Sequence, residues 1–120
     1  MSDFARSRSS NDFVDAETPA ELFTEVRDGS AVVVSLTGDL DLATAPALAR
    51  RLTELLSLPL DSLTIELAGV EFMDSTGLKV LNQARQGADD RHVPLALASV
   101  PRCVQVVLEA TNMDGLFTFR

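Results

Sequence analysis

The sequence is short of most residues that build reactive sites. It has one cysteine, Cys103, so no internal disulfide can form, and a reducing compartment is the simple reading. It has one histidine, His92, so no cluster of histidine and cysteine ligands can be assembled for zinc. Tryptophan and tyrosine are absent, which disfavours carbohydrate and base-stacking sites. Cations are few: 10 Lys and Arg against 18 Asp and Glu give a net charge of −8. That balance is wrong for neutralising nucleic-acid phosphates or for docking on an anionic membrane surface. No apolar run approaches the ~20 residues of a membrane span, and the first ten residues carry no signal-peptide stretch. These absences predict a cytoplasmic protein that binds neither nucleic acid nor membrane.

What is present suits a single small domain. The chain has 120 residues, 46% of them apolar, enough for one ordinary core. Residues 1–18 are rich in Ser, Asp, Asn and Arg and read as a mobile arm before a domain over residues 19–120. The run from Leu22 to Arg27 reads as a strand with Leu22, Thr24 and Val26 on one face. Asp28-Gly29-Ser30 turns it into a second, β-branched strand from Ala31 to Thr37. Gly38-Asp39-Leu40-Asp41 breaks that pattern. A helix follows, with Thr44 as N-cap, Pro46 in its first turn and Leu48, Leu52, Leu55 and Leu56 at helical spacing.

Leu63–Leu67 alternates as a third strand, and Gly69 to Met73 reads as a connection. The spacing predicts a second helix over Thr76–Gln86, ended by Gly87. A fourth strand is expected over Val93–Ala98, with Pro94 setting its start near an edge. A third helix opens at Ser99 and Pro101, ends at Gly115, and is followed by a last strand, Leu116–Phe119. The order is a β-hairpin followed by α-β-α-β-α-β. It predicts an α/β fold: a mixed, mostly parallel sheet of about five strands with three crossover helices.

In such a sheet, the loops leaving the carboxyl ends of the parallel strands share one edge, where ligands bind. That places Asp39, Asp41, Asp74, Ser75 and Thr76 together. Ser75 has two readings. Either Asp74 or Ser75 caps the second helix, or Ser75 is a hydroxyl at a helix N-terminus within reach of a kinase. The three aspartates could hold magnesium, but turn and cap chemistry is the favoured reading. A phospho-accepting receiver domain would want a lysine after its last strand, and Lys79 is inside a helix. A serine hydrolase would need a base beside Ser75. His92 falls at the opposite edge, and the Gly-x-Ser-x-Gly elbow is missing. No catalytic residue, cofactor or metal is assigned, and the chain is not read as an enzyme.

Three segments carry a resemblance. Gly38-Asp39-Leu40-Asp41-Leu42-Ala43-Thr44-Ala45 is similar to the loop motif of STAS domains. Phe72-Met73-Asp74-Ser75-Thr76-Gly77-Leu78 resembles the phosphorylation motif of the anti-sigma factor antagonists within that family. Asn112-Met113-Asp114-Gly115-Leu116-Phe117 is like the segment before the family's last strand. The resemblance implies a STAS-like fold and a partner switch. The unphosphorylated antagonist binds an anti-sigma factor that is also a serine kinase, and the sigma factor is freed. Phosphorylation of the serine that matches Ser75, with Thr76 the lesser candidate, ends the complex, and a phosphatase restores it.

The partner-binding residues implied are Asp39, Asp41, Thr44, Met73, Asp74, Ser75, Thr76, Gly77 and Leu78. The alternative is a non-switching STAS adaptor subunit of a stress-sensing assembly or a lipid transporter. Family members commonly continue into a C-terminal helix, whereas this sequence stops at Arg120. The apolar face left without it favours a homodimer or another partner.

Overall fold

A computed structural model describes residues 23–120. The arm expected over residues 1–18, and Leu22 as a strand residue, lie outside the described residues. The elements are β1 (Phe23–Asp28), β2 (Ala31–Leu40), α1 (Ala45–Leu56), β3 (Ser62–Met73), α2 (Ser75–Asp90), β4 (Leu95–Ala98), α3 (Arg102–Ala110), a 3₁₀ turn (Asp114–Leu116) and β5 (Thr118–Phe119). The strands form one sheet in the order β1-β2-β3-β4-β5. The first pair is antiparallel and the rest are parallel, which is the mixed architecture expected.

Each crossover steps one strand in the same direction. Right-handed connections therefore place all three helices on one face of the sheet. The core lies between them: Val32, Val34 and Leu36 of β2, and Leu63, Ile65 and Leu67 of β3, are buried under Leu48, Leu52, Leu81, Val104 and Leu108. On β1, Phe23 and Glu25 pair with Leu36 and Val34 and share the helix side. Thr24 and Val26 share the other face, as expected, but that face is open, and Val26 is 63% exposed. Glu25 is held by Arg51 of α1, which donates from Nε to Glu25 Oε2 and from Nη2 to Oε1 at 2.7 Å. This fork fastens the hairpin to the helical layer.

Several boundaries differ from the sequence expectation. β2 does not stop at Thr37 and runs on to Leu40. The segment expected as a connection, Gly69 to Met73, is the end of β3. The two extensions pair with each other, Thr37 with Gly69 and Leu40 with Met73, across two register irregularities. Bulges of this kind hide a strand from any test of strict alternation. Gly69 is needed there because a Cβ would lie 2.7 Å from Thr37 Cγ2 and 3.0 Å from the Leu36 carbonyl.

Gly87 does not end α2. The helix continues to Asp90, and Gly87 packs close to Leu56 of α1, whose Cδ1 a Cβ would meet at 3.3 Å. The left-handed residue after α2 is His92, at φ 56°. α3 likewise ends before Gly115, with Asn112 taking the left-handed position at φ 59°. Asparagine tolerates that conformation better than most residues. β4 begins at Leu95, two residues late, and lies inside the sheet. Pro94 precedes it and offers its carbonyl to Leu63 N–H. β5 keeps only Thr118–Phe119 of the expected strand.

Candidate functional site

The extended strands β2 and β3 end side by side. Their last residues, Leu40 and Met73, are buried partners, and Asp74 N–H donates to the Leu40 carbonyl at 3.2 Å. Two turns therefore leave the sheet from one point. In the first, Asp41 Oδ1 accepts from Ala43 N–H at 3.0 Å and Thr44 N–H at 3.2 Å. In the second, Asp74 Oδ1 accepts from Thr76 N–H at 2.8 Å and Gly77 N–H at 3.2 Å. Each carboxylate thus satisfies the donors two and three residues on, which is how aspartate holds turns and helix starts.

These bonds show which residue caps α2. Asp74 is the N-cap of α2, and Ser75 is its first residue, exposed. Among the described residues, the Ser75 hydroxyl has no hydrogen-bond partner. It is free of any part in the cap. Thr44 departs from expectation too: its side chain makes no cap bond to α1. Its hydroxyl donates to the Asp39 carbonyl at 2.7 Å and accepts from Asp41 N–H at 3.1 Å, closing the turn from within.

The nine residues named from the sequence are brought to this edge, but at different depths. Asp39 and Ser75 are exposed, and Asp41, Thr44, Asp74 and Thr76 are half-buried. Met73, Gly77 and Leu78 are buried beneath the edge. Gly77 is the tightest of them. A Cβ there would come within 2.8 Å of the Leu40 carbonyl oxygen, Leu40 Cβ and Met73 Cγ. These three residues shape the surface and do not present it.

Two residues that sequence reasoning left out of the site do present it. Leu42 is 75% exposed at the crest of the first turn, and Phe72 is 48% exposed beside Asp39, its register partner. The signal for both was an apolar side chain placed where the buried pattern had ended. Asp39, Asp41, Glu71 and Asp74 make the surroundings acidic. Arg102, at the start of α3, is a cation on this edge of the sheet. His92 follows the far end of α2, 16 residues long and so roughly 24 Å away. It cannot serve Ser75 as a base. Among the described residues no group of three His, Cys, Asp or Glu side chains is placed to hold a metal ion. No described helix is long and apolar enough to cross a membrane.

Comparison with known proteins bears on the fold. No curated protein matches the sequence. Among solved structures, an anti-sigma factor antagonist from Mycobacterium paratuberculosis is 24% identical, with a TM-score of 0.72 over 85% of this chain and 88% of that one. The TM1081 protein of Thermotoga maritima is 21% identical, with a TM-score of 0.75 over 81% and 84%. Bacillus SpoIIAA, in its unphosphorylated form, is 15% identical, with a TM-score of 0.71 over 82% and 87%. At these identities the likeness is one of fold. A family model described as "Mlab, STAS domain" matches residues 23–118, nearly the whole described structure, and the chain therefore belongs to the STAS domain family.

Proposed function

We propose that this protein is an anti-sigma factor antagonist whose partner binding is switched off by phosphorylation of Ser75. One observation carries the reading. Asp74 alone caps α2, so the exposed Ser75 hydroxyl is free for chemistry that leaves the fold intact. In the unmodified state the edge offers Asp39, Asp41, Thr44, Asp74, Ser75 and Thr76 around the apolar Leu42 and Phe72. An anti-sigma factor with serine kinase activity docks there and releases its sigma factor.

The same partner then transfers the γ-phosphoryl group of ATP to Ser75 Oγ. The bond to ADP breaks, a phosphate ester forms, and the hydroxyl proton is lost. The modified residue carries about −1.5 to −2 charges. The N-terminus of α2 stabilises part of that charge. Asp74, Asp41 and Asp39 oppose it, and a docked partner would have to desolvate it. A phosphatase acting on phospho-Ser75 resets the switch. SpoIIAA, which shares the fold, has been solved in both unphosphorylated and phosphorylated forms.

The test uses a kinase-type anti-sigma factor, ATP and magnesium, with phosphate mapped by mass spectrometry. Phosphate should appear on Ser75, and Ser75→Ala should take up none. Ser75→Asp should weaken partner binding at least tenfold, about 1.4 kcal/mol. Equal affinity of Ser75→Asp and the parent, or undiminished labelling of Ser75→Ala, would sink the proposal.

A second reading is the non-switching adaptor, a subunit of a stress-sensing assembly or a lipid transporter. The exposed Leu42 and Phe72 favour it, because they offer a contact that phosphate does not control. Size-exclusion chromatography with the partner separates the two: a stable assembly indifferent to Ser75→Asp favours the adaptor. A homodimer through the helix-free face of the sheet, where Val26 is exposed, is a further expectation. Sedimentation velocity tests it.

A further inference from the structure

The two borders of the sheet are unequal. β5 closes one side with only Thr118–Phe119. β1 closes the other with six residues, Phe23–Asp28, paired to β2 without a bulge along their whole length. Among the described residues no strand lies against the outer edge of β1. A strand in that position carries backbone N–H and C=O groups that point away from the sheet and can bind a further strand. Phe-Thr-Glu-Val-Arg-Asp has no proline, lysine or bulge to prevent this. It does carry charges of both signs, and their order decides what can pair with it.

That order favours β1 of a second copy. A two-fold axis perpendicular to the sheet runs two such strands antiparallel and keeps both helical layers on one side. Opposite residues then share a face, so the axis must pass through one residue of β1. Centred on Val26, each Glu25 lies opposite Arg27 of the other copy, and this pair occurs twice. Thr24 meets Asp28, and the two Val26 side chains meet each other. Centred on Glu25, the strands would set that carboxylate against its own copy. Centred on Arg27, they would oppose two guanidinium groups.

The side chains are available for the Val26 register. Phe23, Glu25 and Arg27 share the helix side, and Thr24, Val26 and Asp28 the open side. Arg27 is 45% exposed, and its one ion pair among the described residues is with Glu25 of its own strand, at 4.0 Å. Glu25 is held in place by the fork from Arg51 and keeps one fifth of its side chain exposed. Val26, the most exposed apolar residue of the strand, sits at the centre.

We propose that two copies of this chain pair through β1, antiparallel and centred on Val26, into one continuous sheet. Opposite charges directly across a strand pair stabilise it and like charges destabilise it, so Glu-Val-Arg selects this register. The contact is isologous and closes at two copies. It is smaller than a standard stable interface, so the dimer depends on concentration. This deepens the homodimer expectation, moving the contact from the helix-free face to the strand that borders it, and does not rest on the Ser75 switch. The carboxyl ends of β2 and β3 point in opposite directions in the two copies. The dimer therefore presents two Ser75 edges, one at each end and both open.

Sedimentation equilibrium of the full chain over a range of concentrations tests this. The expected result is a monomer–dimer equilibrium that Arg27→Glu, which sets carboxylates opposite each other, weakens at least tenfold. Glu25→Arg should weaken it as much, and mixing the two variants should restore the dimer, because each charge then meets its opposite. Ser75→Asp should change nothing. Glu25→Arg also gives up the Arg51 fork, so oxidative cross-linking in a Cys103→Ala background supplies a second measurement. Val26→Cys should cross-link across the axis, where opposed Cα atoms lie about 4.5–5.5 Å apart. Thr24→Cys, also at an exposed position, should cross-link at least tenfold more slowly, because its own copy lies roughly 13 Å away. A monomer at every concentration, as when residues 1–22 of the same chain occupy the edge, overturns the proposal. So does a dimer indifferent to Arg27→Glu, which pairing through the helix-free face would give, and so does equal cross-linking at positions 24 and 26.

Discussion

The two turns that leave the sheet at Asp41 and Asp74 use one device and put it to different ends. In both, an aspartate accepts from the backbone two and three residues on. In both, the residue immediately after the aspartate is pushed out to solvent. After Asp41 that residue is Leu42, an apolar contact that nothing can modify. After Asp74 it is Ser75, an exposed hydroxyl. The third residue differs as well: Thr44 fills the first turn with hydroxyl bonds, whereas Gly77 leaves room for the strand ends to close over it. A capping carboxylate thus leaves its neighbour exposed, and the third residue decides how closely the turn is packed.

The largest expected effect separates the two third residues. Gly77→Ala would push a methyl group against the Leu40 carbonyl and two buried side chains, and should destabilise by about 3 kcal/mol. Thr44→Ala, which loses hydroxyl bonds in a half-buried turn, should destabilise by only about 1 kcal/mol. Urea denaturation of both variants checks the order. A Gly77→Ala protein as stable as the parent would show that the strand ends are looser than described.

Next come the aspartates. Asp74→Ala removes a true helix cap and should lower stability by about 1–2 kcal/mol. Asp41→Ala removes only the turn before α1 and should lower it by about 0.5–1 kcal/mol. Asp74→Ser, a good cap, should restore most of the loss.

The exposed neighbours should be silent in stability. Ser75→Ala and Leu42→Ser should each change it by less than about 0.5 kcal/mol. A midpoint shift as large as that of Asp74→Ala would mean that Ser75 helps to hold the turn.

The smallest effect lies outside both turns. The hydrogen-bonded Arg51 guanidinium holds the Glu25 carboxyl below its ordinary value of 4.5, against the opposing effect of partial burial. A depressed carboxylate contributes stability that is present above the unfolded value and is lost as pH falls through the folded one. Glu25→Gln should therefore show a shallower loss of stability below about pH 4.5 than the parent. Acid titration followed by circular dichroism measures it.

Much of the fold was legible in the sequence. The hairpin at Asp28-Gly29-Ser30, the three helices and the parallel alternation all follow from turn residues and apolar spacing, which are local signals. The ends of β2 and β3 were not legible. Their pairing is irregular, and Gly38 and Gly69 look like breakers when each strand is read alone. Gly87 misled for a related reason: a glycine that looks like a helix stop lies inside α2, packed beside Leu56 of α1. At the site, the cluster of Asp39, Asp41, Asp74 and Ser75 could be read from the topology. The burial of Met73, Gly77 and Leu78, and the exposure of Leu42 and Phe72, could not.

The sequence alone determined the order of elements and the residue types gathered at one edge, because periodicity and turn chemistry are properties of neighbours along the chain. It left open whether Asp74 or Ser75 caps α2, because both are competent acceptors one residue apart. Only the tertiary structure decided that. The bond from Asp74 N–H to the Leu40 carbonyl fixes where the chain leaves β3. From there the Asp74 carboxylate faces the first N–H groups of α2, and the Ser75 hydroxyl faces water.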